Sequence, residues 1–506
     1  MRPHLMFRDA DFDMRSALPW NGEALTLDLD LDVLWEAMAG TDKFLLETAK
    51  HAMLAPLYET EAISYRQQIL DDCLRNPQPV RDLYAIAVAA IDGERRQFWG
   101  IGSKFPSSIL RRAIAVMRIF VPLLRQLRQI AETNERALRS EGMLGLFALF
   151  REQLSEAYLV EIEQHLRQLD FDDGLSFGAR LGEGDKGAAY ELLRTARERR
   201  NWLEFIFPLK VSPQAFRVDP RDESGHRALS ELTDRSVNTV AAVLSHAADH
   251  VLAFFNLLRA ELAFYLGCLN LHARLESKGE ARCMPEPLLG DALERRHDAT
   301  ALYDPCLSLQ IDERIVGNDL KVDGARLVVI TGANRGGKSS FLRAIGVAQL
   351  MMQCGMFVPA EHFAASLCRA LFTHYRREED ATMTSGKLDE ELARMSGIVD
   401  HARPHSLLLL NESFSATNER EGSQIAEEVV SALADAGIRV FFVTHLYEFA
   451  SRLSSARDAT GTLFLQAERL EDGTRTFKMV ERRPLPTSYG ADLYAAVFEK
   501  PATRSQ

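Results

Sequence analysis

At 506 residues, with 46% hydrophobic and 26% charged side chains, the chain has the composition of a globular protein of about three domains. A single small module, a disordered chain and a fibrous rod are excluded. Seventy-two Asp and Glu against 60 Lys and Arg give a formal charge of −12, which excludes a generally basic coat and confines any nucleic-acid contact to local patches.

In chain order, Met1-Arg2-Pro3-His4 soon runs into acidic residues without the apolar core of a signal peptide, so a cytoplasmic protein is expected. Asp28, Asp30 and Asp32 alternate with leucines, a half-exposed strand rather than a metal site. Helical periodicity then dominates: Ser108 to Leu138, Tyr190 to Phe205 and Thr233 to Glu276 are predicted helices. Residues 104–130 contain no Asp or Glu and carry Lys104, Arg111, Arg112, Arg118, Arg125 and Arg128. Two readings stay open for them: a local basic face for DNA, or solvated helix faces and partners for the surplus acids. The same choice applies to Arg194, Arg197, Arg199 and Arg200 beside Trp202. Gly- and Asp-rich residues 170–187 and polar residues 220–225 bracket a possible small insert at 170–230. Residues 236–275 read as one helix of ~60 Å, too long for one compact core to cover and so a lever or stalk. His246, Asp249 and His250 on it lack further ligands and read as a polar face.

The six cysteines, at 73, 268, 283, 306, 354 and 368, never form a Cys-x-x-Cys pair and are expected as reduced, mostly buried thiols. Residues 344–360 are uncharged, but Gly, Gln and Pro interrupt them and they fall short of the ~20 apolar residues of a spanning helix, so no membrane partner is expected.

Near residue 300 the pattern changes. Short apolar strands alternate with helices: Leu327 to Thr331 before a helix from Lys338, Leu407 to Leu410 before a helix from Glu419, and Val440 to Thr444 before a helix from Leu446. This is a βαβ sheet domain. Leu463 to Leu470 and Thr474 to Val480 flank Glu471-Asp472-Gly473 as a β-hairpin at the sheet edge. The expected division is a helical region 1–290, an α/β P-loop NTPase domain 300–498 and a tail 499–506.

Gly332-Ala333-Asn334-Arg335-Gly336-Gly337-Lys338-Ser339 fits G-x-x-x-x-G-K-[ST] directly after an apolar strand and before a helix. Glycines let backbone N–H groups turn toward phosphates, Lys338 reaches the β and γ oxygens, and the Ser339 hydroxyl can ligate Mg²⁺. The alternative is a glycine turn without nucleotide. Leu407 to Leu410 ends in Asn411-Glu412: Glu412 can orient and activate a water, and Asn411 stands where such ATPases usually hold the Mg²⁺ shell with an aspartate. The amide gives up one negative charge beside a dication, so weak Mg²⁺ coupling and slow turnover are predicted. His445 ends the next strand, where it can sense a γ-phosphate or serve as a hydrogen-bonded structural residue.

With these residues in view, the chain resembles the MutS family of DNA mismatch-repair ATPases. The resemblance is carried by Thr331 to Arg343, Gly355-Met356-Phe357-Val358-Pro359-Ala360, Asn411-Glu412 with Thr417, Glu421 and Gly422, Val443-Thr444-His445, and Ser488-Tyr489-Gly490. It is strong over about 300–498 and weaker over about 20–280. It implies an ABC-type ATPase that converts ATP to ADP and phosphate, with Glu412, Lys338 and His445 at the reaction. It implies ATP and Mg²⁺ as ligands, with Ser340 completing the phosphate loop. It further implies a homodimer in which a signature segment, here Thr384 to Leu392 with Ser385 and Gly386 at its turn, covers the partner's nucleotide. An ordinary capped helix start is the alternative for that segment. Adenine packing maps onto Ile315 and Val316. The N-terminal region shows no Phe-x-Glu element and leaves no room for both mismatch-reading and connector domains, and no nuclease-like domain is seen after residue 500. The implied function is ATP-driven dimer closure around mismatched, damaged or branched DNA; the alternative is an ATP-gated protein-interaction switch that does not bind DNA.

Overall fold

The computed structural model describes residues 1–97, 106–169, 176–181, 187–193, 223–289, 296–377, 386–455 and 461–485. Its residues cluster into two compact units: Arg81–Ala137 and Leu144–Arg259 with Met1–Pro3 in one, and His4–Val80, Leu138–Met143 and Ala260–Gln506 in the other. This division does not follow the sequence boundary near 290, because residues 4–80 pack with the sheet domain.

The chain opens with helices α1 (Gly22–Asp28), α2 (Leu31–Ala39), α3 (Lys43–Leu54) and α4 (Thr60–Arg75). The strand expected across Asp28 to Asp32 is therefore corrected. A strand would put Leu27, Leu29 and Leu31 on one face, yet Leu27 is 60% exposed while Leu29 and Leu31 are fully buried. Asp30, in the left-handed region at φ 53°, makes the break between α1 and α2. The aspartates serve as anchors instead: Asp28 pairs with Arg377 at 3.1 Å and Asp30 with Arg343, which also holds Asp304 at 2.5 Å.

The smaller unit is helical. α5 (Pro77–Arg96), α6 (Pro106–Asn134), α7 (Glu141–Gln153) and α8 (Glu156–Gln168) precede the antiparallel hairpin β1 (Ser176–Leu181) and β2 (Gly187–Leu193) and the 55-residue helix α9 (Glu223–Ser277), of which residues up to Arg259 belong to this unit and those from Ala260 to the larger one. On α6, Leu110, Ala113, Ile114, Met117, Val121 and Leu124 recur at helical spacing and are buried. Phe120 packs on Phe255 at 5.4 Å, and Phe150 meets Phe254 edge-on at 6.1 Å. The helix expected over Tyr190 to Phe205 is corrected at its start, since Tyr190 to Leu193 lie in strand β2, where Glu191 to Leu193 pair with Ser176 to Gly178, and cross-strand pairing overrides local preference. The rest of that segment lies outside the described residues. Residues 238–277 of α9 are long and apolar enough by composition to cross a membrane, but two thirds (67%) of the apolar window is buried inside the protein.

Part of the larger unit rests on buried polar anchors from α4 and α9. Glu261 accepts the backbone N–H of Leu5, the Tyr265 hydroxyl donates to the Leu5 carbonyl, and Arg66 donates to the Met6 carbonyl at 2.7 Å. Burial pushes the Glu261 carboxyl up to about 7, against the lowering effect of its backbone donors.

After α9 come β3 (Glu286–Leu288), β4 (Arg296–Leu302), α10 (Pro305–Gln310), β5 (Asn318–Asp323), β6 (Leu327–Gly332), α11 (Lys338–Gln353), β7 (His362–Ser366), β8 (Leu371–Tyr375), α12 (Lys387–His401), β9 (Leu407–Asn411), α13 (Glu419–Asp435), β10 (Arg439–Val443), α14 (Tyr447–Ser455), β11 (Thr462–Arg469) and β12 (Arg475–Glu481). The main sheet runs β12-β11-β6-β10-β9-β8, parallel except for the β11–β12 hairpin at its edge. Its central strands, Leu327–Ile330, Leu407–Leu410 and Val440–Val443, are buried along their whole length, as a parallel sheet covered on both faces requires. A smaller sheet runs β3-β7-β4-β5. All six cysteines are free, five of them buried.

Candidate nucleotide site

β6 delivers the chain to the phosphate loop, and two close approaches explain its glycines. Gly332 has φ 113°, and a Cβ there would lie 2.8 Å from the Ala467 backbone nitrogen; one on Gly336 would lie 2.8 Å from the Ala467 Cβ. The loop thus leaves a cradle of bare backbone at the start of α11, a shape that suits a polyphosphate. Lys338 is buried and donates to the carbonyls of Gly332 at 3.1 Å and Ala333 at 2.9 Å. Burial lowers its pKa to about 8, with Glu412 opposing and Arg475 adding to the shift. Arg475 also holds the loop tip through the Asn334 carbonyl at 2.7 Å.

Two neighbouring strands bring the remaining polar groups to the same end of the sheet. At the end of β9, Asn411 Oδ1 accepts from the Ser339 hydroxyl at 3.1 Å. Glu412 follows in the left-handed region at φ 55°, its N–H bonded to the Val443 carbonyl at 2.8 Å. Its carboxylate takes His445 Nε2 at 3.1 Å, with Arg376 at 3.8 Å on the other oxygen. The His445 hydrogen bond is the main cause holding the Glu412 carboxyl below the usual range, so it stands ionised as an acceptor for a proton. Ser339 and Asn411 could hold Mg²⁺, though neither is a carboxylate, and among the described residues no cluster of His, Cys, Asp and Glu forms a metal cage.

Beside the loop lies a cavity of about 440 Å³ lined by Ile315, Val316, Arg335, Ser340, Phe341 and Phe477, among others. The fold therefore brings Ile315 and Val316 next to the phosphate loop. Phe477, on the edge strand β12, has no counterpart in the sequence reading. It is 47% exposed, adopts φ 59°, and its ring lies 3.5 Å from where a Gly337 Cβ would stand. Only the hairpin signal pointed to that region, and no motif singles out the residue.

Other candidates are distributed differently. Gly386 is the exposed N-cap residue of α12. Ser385, Lys104, Arg194, Arg197, Arg199, Arg200, Trp202 and Ser488-Tyr489-Gly490 lie outside the described residues. On α6, Arg112 pairs with Glu94 at 2.5 Å, Arg125 with Glu156 and Glu163 at 3.1 and 3.0 Å, and Arg128 with Glu132 at 2.8 Å. These three face acids of their own unit; Arg111, Arg112 and Arg118 are all exposed. His246, Asp249 and His250 are exposed on α9.

Comparison with known proteins matches residues 58–278 to the MutS2 N-terminal domain and residues 328–503 to MutS domain V. The DNA mismatch repair protein MutS of Chloroflexus aurantiacus is 29% identical over 229 residues, 44% of this chain and 23% of that protein. Its namesake from Synechococcus sp. (strain CC9605) is 32% identical over 184 residues, 36% of this chain and 20% of that protein. Another, from Desulforamulus reducens, is 36% identical over 138 residues, 27% and 16% respectively. The chain thus spans less than a quarter of the length of these relatives. Sheet, loop and matched segment together define a P-loop domain of the MutS domain V class, which is an ATPase domain. With both halves matched, the chain belongs to the MutS family.

Proposed function

We propose that the protein is an ATP-dependent DNA-binding ATPase of the MutS type, in which ATP binding closes a homodimer around mismatched, damaged or branched DNA. The observation that carries this reading is the convergence of Lys338, Ser339, Asn411, Glu412 and His445 at one end of the domain V sheet. In this reading 1–290 is the core and lever region with an insert at 170–230, 300–498 an ABC-type ATPase and 499–506 a tail. The protein works in the cytoplasm and needs no membrane.

The phosphate-loop amides and Lys338 bind the triphosphate, and Ile315 and Val316 wall the base. Ser339 and Asn411 would hold Mg²⁺, which when bound would supply charge neutralisation at the phosphates. Glu412 orients the attacking water and accepts its proton, and His445 holds the Glu412 carboxylate in place. Gly386 at the head of α12, with Ser385 before it in the sequence, reaches the partner's nucleotide. Because Asn411 brings no charge, turnover is slow. Glu412→Gln should cut ATP hydrolysis by about 100-fold or more while ATP binding persists, checked by phosphate release beside equilibrium binding.

The test of the whole reading is a binding panel of homoduplex, mismatched and branched DNA with ATP, with ADP and without nucleotide, across salt. DNA affinity should change with nucleotide and fall steeply with salt. Absent or salt-insensitive binding in every state would sink it. A second reading, an ATP-gated switch that grips a protein partner, is favoured by the pairing of Arg112, Arg125 and Arg128 with acids. Reversing Arg111, Arg112 and Arg118 to Glu separates the two, since only the first requires a loss of duplex binding.

A further inference from the structure

The base-side wall of the cavity is a short loop, residues 311–317, whose two ends are fastened by different elements. Its downstream end is tied to β12 and β5: Lys478 donates to the Gly317 carbonyl, and Asn318 Nδ2 bonds the Phe477 carbonyl at 3.1 Å. Its upstream end is tied to the last turn of α9. That helix stops in a Schellman motif, with Gly279 at φ 67°, the Glu280 N–H on the Leu275 carbonyl at 3.1 Å and the Gly279 N–H on the Glu276 carbonyl at 2.9 Å. Residue 280 is therefore fixed in place by the helix end itself.

From there the Glu280 carboxylate, 4% exposed, takes two donors on one oxygen: the Ser308 hydroxyl of α10 at 2.9 Å and the Ile315 N–H at 3.1 Å. Arg314 Nε lies 3.8 Å from its other oxygen, and Arg282 holds the Glu280 carbonyl at 2.7 Å. Lys278, on the same turn, donates to the carbonyls of Ser308 and Ile311. A charged side chain is thus buried at the end of α9 with a backbone amide of the cavity wall as one of its ligands.

We propose that Glu280 is a positioning residue for the base end of the nucleotide, setting the Ile315–Val316 wall from the C-terminal turn of α9. The proposal rests on the reading of the cavity as a nucleotide site. It makes a distinction that general structural support does not: Glu280 governs the grip on the base and leaves the grip on the phosphates alone. Removing an acceptor strands the Ile315 N–H and frees the wall, while the cradle on β6 and α11 keeps its own bonds.

The experiment compares ATP with inorganic tripolyphosphate as competitors of a fluorescent ATP analogue on the full chain. Glu280→Ala and Glu280→Asp should weaken ATP about tenfold, the scale of one lost hydrogen bond to a charged group, with tripolyphosphate within twofold of wild type. Glu280→Gln, whose amide oxygen can still accept from Ile315, should restore ATP affinity. Unchanged ATP affinity in the Ala and Asp variants, an equal loss for both competitors, or failure of the Gln variant to rescue would overturn the proposal. If the Ala variant does not fold, the Asp variant decides, with tripolyphosphate binding reporting an intact cradle. Wild-type protein that binds neither ligand would overturn the nucleotide reading itself.

Discussion

Lys338 and Asn411 carry the most direct consequences for single side chains. The Lys338 ammonium is held down to about pKa 8 by burial, whereas a bound polyanion raises the pKa of a cation beside it. Between those two values triphosphate binding takes up a proton, so affinity should fall as pH rises above about 8, by up to tenfold per pH unit. Binding titrations from pH 7 to 9.5 check this, and Lys338→Arg, charged throughout, should flatten the curve. Asn411 makes the opposite case of a missing charge. Two unit charges 4 Å apart share about 4 kcal/mol at an effective dielectric of 20, and a third of that is about tenfold in an equilibrium. Asn411→Asp should therefore lower the Mg²⁺ concentration for half-maximal hydrolysis by about tenfold, read from a metal titration of phosphate release. Both positions were legible in the sequence because their motifs are contiguous and follow apolar strands. Phe477 and Glu280 were not, since Phe477 lines the cavity and Glu280 bonds its Ile315 wall from separate elements with no spacing rule to join them. The arginines of α6 show the converse, for a stretch without acids in sequence meets Glu94, Glu156 and Glu163 in space.

At the level of elements, the turn after β9 depends on how closely α13 approaches it. A Cβ on Gly422 would stand 2.4 Å from the Phe414 carbonyl oxygen, and Phe414 itself sits at φ 65° with its N–H on Glu391 Oε2 at 2.9 Å. Gly422→Ala must push that turn, and Glu412 with it. We expect a destabilisation of about 1–3 kcal/mol by urea denaturation and a fall in hydrolysis larger than the fall in ATP binding. His374 lies in the same joint, bonded to Ser413 at 2.7 Å and to the Glu391 carbonyl at 3.0 Å, with burial pushing its pKa down to about 4. The head of α12 is thereby tied to the turn that carries Glu412. The strand–helix pairs built on β6, β9 and β10 and the β11–β12 hairpin were readable from apolar runs and turn residues, whereas β5, β7 and β8 were not. The error across Asp28 to Asp32 came from an alternation too short to tell a strand from two helices meeting at a left-handed residue, a choice that burial of Leu29 and Leu31 decides.

For the molecule as a whole, the N-terminal segment is part of the fold's closure, held by Glu261, Tyr265 and Arg66. Glu261 has a folded pKa near 7 against 4.5 for the free side chain, so the folded form binds the extra proton between those values. Its contribution to stability is fully present below pH 4.5 and is lost as pH rises through 7. Glu261→Gln removes this dependence, and the gap in denaturation midpoint between variant and wild type should shift in the variant's favour from pH 5 to 7.5. A gap that stays constant would show that the carboxyl is already ionised at pH 5.

The contact between β11 and the phosphate loop sets a limit of another kind. Ala467 stands against Gly332 and Gly336 at once, so the space for the loop is ruled off by a strand more distant in the chain. Any side chain larger than alanine at 467 would press into the cradle before a ligand could. Loop and strand therefore form a lock and its template, and grafting the glycine motif onto another sheet would fail to reproduce the site unless that neighbour came with it.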